Sequence, residues 1–196
     1  MDFTPPRLLQ PPTVFFLNGD TYTIYDYPGA YDTRVVGIND AGDIVGTYIL
    51  TDNSQGGFAV VGGVLEAITV PDSTYVSPSD INNRGDIVGW YNTPDASLGF
   101  RLQSNGTLHY PVRPGHAEAT LLFGTNDKRA SVGVFYDGAS HGLYFANRQL
   151  FATYGLPGTF LNNLTGINRD GRICGWGYAG GTTHSYILRS RIDPAE

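Results

Sequence analysis

Gly37-Ile38-Asn39-Asp40-Ala41-Gly42-Asp43-Ile44-Val45-Gly46-Thr47-Tyr48 places a polar turn between two apolar runs. Gly42 can supply the positive φ of a tight reversal, and the Asn and Asp side chains beside it can bond the turn backbone. The β-branched residues on either side read as two strands of a hairpin. The pattern returns at Ile81-Asn82-Asn83-Arg84-Gly85-Asp86-Ile87-Val88-Gly89, at Thr125-Asn126-Asp127-Lys128-Arg129-Ala130-Ser131-Val132-Gly133 and at Ile167-Asn168-Arg169-Asp170-Gly171-Arg172-Ile173-Cys174-Gly175. In the third copy Arg129 replaces the turn glycine, so that hairpin must turn differently or bear strain.

The periodicity extends beyond the hairpin. Pro28, Pro71, Pro114 and Pro157 follow one another at intervals of 43 residues. Each closes an apolar run, because proline cannot continue a ladder. Those runs are Thr21–Tyr27, Val64–Val70, Thr107–Val112 and Gln149–Tyr154. One further slot holds Phe15–Leu17, Phe58–Val61, Phe100–Leu102, Leu143–Phe145 and Tyr186–Leu188, the first four leading into turns such as Asn18-Gly19 and Asn105-Gly106. Four short strands per unit at this period predict an all-β fold: a small β-propeller of four four-stranded blades. In that register Thr21–Tyr27 is expected to pair beside Tyr186–Arg189, closing the ring in a five-stranded blade with Val14–Leu17 outermost; the other expectation is that the excess strand pairs with a neighbouring chain. Residues 14–190 form the single domain, 1–13 an N-terminal extension and 191–196 a tail.

Composition narrows the function. Charged residues are 15% and aromatics 13%, with 26 glycines, which suits a turn-rich β protein rather than helices or a disordered chain. A formal charge of −6 gives no surface for phosphate, which argues against a nucleic-acid partner. No apolar run has the length of a membrane span, and Met1–Leu17 has no signal-peptide pattern, so the chain as given reads as cytoplasmic, or as extracellular if trimmed. The single cysteine, Cys174, excludes an internal disulfide. It aligns with Val45, Val88 and Val132 and is expected to be a small core residue.

The "Gly-Ile-Asn-Asp-Ala-Gly-Asp-Ile-Val-Gly" hairpin, with His141-Gly142-Leu143 and His184-Ser185-Tyr186, resembles the HAF-type extracellular repeat, and the hairpin is similar to that of NHL-type propeller blades. The resemblance implies a propeller in which the strand ending in Ile-Asn lines the channel. It implies an architecture more than an activity.

In such a meander the loops between strands two and three share one face with the loops that enter the next blade. That face gathers the aromatic and polar residues of candidate ligand contacts: Tyr48, Trp90, Tyr91, Tyr136, Asp137, His141, Trp176 and Tyr178. Aromatic planes beside carboxylates suit a sugar or another small polar or aromatic molecule, with packing between blades as the competing role of each tyrosine. The expected function is therefore a ligand-binding module for a small molecule or glycan. The alternative is an enzyme, such as an isomerase, cyclase or lyase, with one pocket at the channel mouth and Arg34, Asp80, His116, Glu118, Asn163 and His184 as candidate actors. His184 with Asp137 or Glu118 is one possible acid/base pair. Convergence of His116, His141 and His184 on a metal is disfavoured because their slots differ, no cofactor motif is present, and Asp40 and Asp127 read as turn residues. The chain is expected to be a monomer or a homodimer.

Overall fold

The computed structural model describes residues 14–18, 20–146 and 150–189. The expected extension 1–13, the tail 191–196, Gly19 of the first turn and Gln149 at the start of its run lie outside the described residues.

Seventeen strands and no helix make up the described chain. β1 (Val14–Asn18) and β2 (Thr21–Tyr25) form a hairpin of their own. The first full unit is the antiparallel sheet β3 (Ala30–Ile38), β4 (Ile44–Leu50), β5 (Gln55–Val61) and β6 (Val64–Ile68). The second is β7 (Tyr75–Ile81), β8 (Ile87–Asn92), β9 (Ser97–Leu102) and β10 (Leu108–Val112). The third is β11 (Ala119–Thr125), β12 (Ser131–Tyr136), β13 (Ser140–Ala146) and β14 (Leu150–Tyr154), and the fourth has three strands, β15 (Leu161–Ile167), β16 (Arg172–Ala179) and β17 (Thr182–Arg189). A single parallel bridge, Ser140 to Leu161, links the third and fourth units.

This is the meander that the period implies, and its units stack face to face. Three apolar cores lie between successive units. Val45, Ala59, Ile68 and Val70 of the first pack against Val76, Ile81, Ile87 and Phe100 of the second. Val88 and Val112 meet Leu122, Phe135 and Leu143, and Val132 and Tyr144 meet Leu164 and Ile173. In each unit the first strand carries a bulge at the same place, between Val35 and Gly37, Pro78 and Asp80, Leu122 and Gly124, and Leu164 and Gly166. The bulge bends the strand, and the glycine of the Val-Gly segment makes room for it. A Cβ on Gly89 would fall against the Ser77 carbonyl, 2.7 Å from the Pro78 Cα and 2.9 Å from the Phe100 ring.

Two expectations are corrected. Ring closure is not seen: among the described residues β2 pairs only with β1 and β17 only with β16, and the expected five-stranded closing blade does not form. Instead β1–β2 sits beside the first unit, with Tyr25 and Tyr27 against Phe58 at ring-centroid distances of 5.7 and 5.5 Å. Cys174 is exposed, not buried in a core. Val45, Val88 and Val132 are covered because another unit follows them, and within the described chain nothing follows the fourth.

The third hairpin resolves in favour of strain. Arg129 takes φ 61°, in the same region as Gly42 at 84°, Gly85 at 76° and Gly171 at 77°. Its N–H donates to the Asn126 carbonyl as Gly42 donates to Asn39. The turn is conserved in shape at a local cost of about 1 kcal/mol.

Candidate functional site

The turn asparagine explains how the units are held in register. Asn39 Oδ1 accepts the backbone N–H groups of Ala41 and Asp43, which shapes its own turn. Its Nδ2 donates across the unit boundary to the Asn82 carbonyl at 3.2 Å. Asn82 repeats this toward the Asn126 carbonyl at 2.8 Å, and Asn126 toward the Asn168 carbonyl at 3.0 Å. Asp40 and Asp127 join the same lattice: Asn83 Nδ2 donates to both carboxylates, and Asp127 accepts the Asn83 N–H at 2.8 Å. Their hydrogen bonds run between the turns of neighbouring units, not within one turn.

These turns border a cavity of roughly 280 Å³ at one end of the strands, lined from all four units by residues such as Asn39, Asp80, Asn82, Asn126 and Arg169. Asp80 is committed there. Its two oxygens accept the N–H of Ile81 at 3.0 Å and of Thr125 in the next unit at 2.8 Å. Burial pushes its carboxyl above the usual range, against the opposing pull of those two bonds. Asp80 thus bridges two units.

A second buried polar group lies nearby. Asp86 accepts Arg129 Nε at 2.9 Å and the Ser104 N–H at 3.1 Å. Arg101 donates to the Arg129 carbonyl at 2.8 Å and to Ser131 at 2.9 Å, and lies 4.3 Å from the centre of the Phe145 ring. Burial lowers its guanidinium to about 10.

The opposite end carries the loops expected to bind. Here the fold brings together residues that spacing alone does not. Asp137, from the turn after β12, accepts His141 Nε2 at 2.7 Å and lies 3.3 Å from His116 Nε2. His116 arrives from the loop that enters the third unit, while His141 stands on β13. Phe135 supports both rings, stacked on His141 at 4.9 Å and edge-on to His116 at 5.5 Å. The Glu118 N–H donates to the Tyr136 carbonyl at 2.7 Å, which ties the two loops together. Tyr136 and Glu118 are exposed beside the cluster. Such a group presents two imidazoles oriented by one carboxylate, able to bond hydroxyls or exchange protons. Among the described residues, no group of three or more His, Cys, Asp or Glu is placed to hold a metal ion.

The remaining candidates are spread out. Arg34 is exposed on β3, its Nε and Nη2 bonded to the two oxygens of Asp32 at 3.3 and 2.8 Å, which raises the guanidinium further. Tyr48 stacks on Tyr27 at 3.8 Å with planes 6° apart. It also lines a cleft of roughly 320 Å³ with Gln55, Ser73 and Tyr75. Trp90 meets Tyr75 edge-on at 5.5 Å, and Tyr91 is buried in the core between the first two units. Tyr178 packs edge-on to Phe160 at 5.4 Å. Asn163 is buried on β15 opposite Trp176, and His184 is exposed on β17 opposite Gly177. Trp176 lies on the uncovered face of the fourth unit, in a groove with Cys174, Tyr186 and Ile187. Asp137 is engaged by His116 and His141 rather than by His184. The missed signal was that the loop entering a blade lies over the turn after that blade's second strand.

No family model and no curated protein sequence matches the chain, so the likeness to HAF-type repeats extends no further than the motif. Among solved structures the chain is similar to "Streptogramin B lyase structure", with a TM-score of 0.51 and 16% identity over 93% of this chain and 63% of that one. The chain therefore spans less than two thirds of that structure's length. At this identity the likeness is one of fold, and the fold is all-β and propeller-like.

Proposed function

We propose that the chain is a ligand-binding β-propeller module that takes one small polar molecule, a carbohydrate, on its loop face at the third unit. The observation that carries this reading is the convergence of His116 and His141 on Asp137 over the Phe135 ring. Two oriented imidazoles and a carboxylate offer both donors and acceptors to hydroxyls, and exposed Tyr136 offers an aromatic face. The units differ at these positions, which supports one asymmetric site instead of a repeated one.

A glycan array followed by calorimetric titration of the best sugar tests it. One equivalent per chain, with affinity lost in Asp137→Ala and His141→Ala and retained in Trp176→Ala, is the expected result. Several equivalents per chain, or indifference to both substitutions, removes the reading.

A second reading is favoured by the same geometry: a histidine held by a carboxylate is a competent general acid or base. The structural neighbour bears the name of a lyase, which supports the idea that a propeller of this shape can carry catalysis. Release of an altered ligand from the titration mixture, absent in His141→Ala, distinguishes an enzyme from a binding module.

A further inference from the structure

The trailing face of the fourth unit lies open, as does the Ile38 edge of the first unit's leading face, whose Phe58 and Ile44 are covered with the β1–β2 hairpin packed beside them; at each internal junction the array buries the equivalents of both. On the first unit, Ile38 occupies the slot of Ile81, and is 56% exposed where Ile81 is 3%. On the fourth unit, Ile187 stands opposite Cys174 as Ala59 stands opposite Val45, Arg101 opposite Val88 and Tyr144 opposite Val132. Those three are 5%, 2% and 1% exposed, and Ile187 is 79%. A groove of roughly 560 Å³ runs over this face between Thr165, Cys174, Trp176 and Ile187.

We propose that these surfaces dock on each other between two copies of the chain, the fourth unit of one against the first unit of the other, so that two arcs form one ring. The occupant follows from the junctions already present. In each, the trailing face of one repeat meets the leading face of another, and the asparagine ladder crosses the boundary in one direction. That ladder begins at the Asn39 carbonyl end and finishes at Asn168, whose side chain is the next donor in the series. A second copy presents the matching acceptor.

Side-chain sizes at the open faces are complementary. Gly57, Gly99 and Gly142 stand where the next unit comes closest, and a Cβ on them would lie 2.5, 3.3 and 2.9 Å from Pro78, Leu122 and Leu164 respectively. In the fourth unit this slot holds Ser185, which is opposite Trp176 as Gly57 is opposite Thr47. The leading face of the first unit has Val35 in the slot of those leucines. Serine adds atoms on one side of the junction and valine removes a methylene on the other. A contact between trailing and leading faces generates either a ring or a filament, according to the rotation per unit. The propeller-like fold favours a ring. β1 and β17 belong to the same slot of the repeat. The incoming β17 therefore takes the place beside β3, and the β1–β2 hairpin moves out by one strand to become its neighbour.

Sedimentation velocity of the full chain over the micromolar range, with Ile38→Arg, Ile187→Arg and their equimolar mixture, tests the proposal. Both positions are exposed within one chain, so circular dichroism and melting of the variants should match the parent. The parent is expected to sediment as a dimer and each variant as a monomer. The mixture should regain dimers, more weakly than the parent, because one of its two junctions is intact. A parent that stays monomeric, variants that remain dimeric, or a mixture as monomeric as its components would each overturn it, the last by showing that identical patches meet.

Discussion

Asn39 gives its side-chain amide to the carbonyl of Asn82, 43 residues further on, while its side-chain oxygen holds its own turn closed. One residue type thus performs the local and the long-range task together. Only asparagine combines an acceptor aimed inward with a donor aimed outward at this length, which is why aspartate does not replace it in any of the four turns.

Asn82→Ala removes a bond to Asn126 and two acceptances, from Arg84 and Asp86, all largely out of water. Unfolding in urea is expected to show a loss of about 2–4 kcal/mol. Asn82→Asp keeps the acceptor but sets a carboxylate oxygen against the Asn126 carbonyl and the Asp86 carboxylate, which the amide bonds at 2.8 and 3.4 Å, and should lose at least as much as the alanine variant.

Arg129→Gly relieves a strained backbone but leaves Asp86 without its 2.9 Å partner. Relief amounts to about 1 kcal/mol, while the buried Asp86 loses its nearest cation and keeps the Ser104 N–H at 3.1 Å, the Asn82 amide at 3.4 Å and Arg84 at 4.0 Å, a loss of about 1–3 kcal/mol, so the variant should be modestly less stable. Adding Asp86→Asn to Arg129→Gly should recover most of the loss, and a double-mutant cycle read by thermal melting measures the coupling.

Gly89→Ala drives a methyl into backbone that the bulge of β7 holds in place. A loss of about 3 kcal/mol or more is expected, since the neighbours are main-chain atoms that cannot rotate away. Gly115→Ala is the control, with open space around its Cβ and an expected change of about 0.5 kcal/mol or less.

Cys174 reports on the open face. In Ile187→Arg its thiol should react with a chromogenic disulfide at the rate of an accessible cysteine, whereas in the parent the rate should fall as protein concentration rises. A rate independent of concentration in both would show that nothing covers this face.

The strands and turns were legible because their signals are local and repeat: the Ile-Asn run, the turn glycine and the periodic proline each recur where the structure places a strand end. Stacking of the units followed from the same repetition. What the sequence did not reveal is set by three-dimensional neighbours. The exposure of Cys174 depends on whether a unit follows it, not on its own apolar strand. The meeting of His116 with Asp137 depends on one loop crossing another, and no spacing rule links residues 21 positions apart in different loops. Asp80, singled out as a catalytic candidate, is occupied by two backbone N–H groups, one of them in another unit.

Because every rung of the asparagine series spans a boundary and none spans two, the number of boundaries does not alter the bonding of any one of them. Duplication or loss of a whole unit leaves the same one donor and one acceptor at the termini, so copy number can drift during evolution without redesign of the interior.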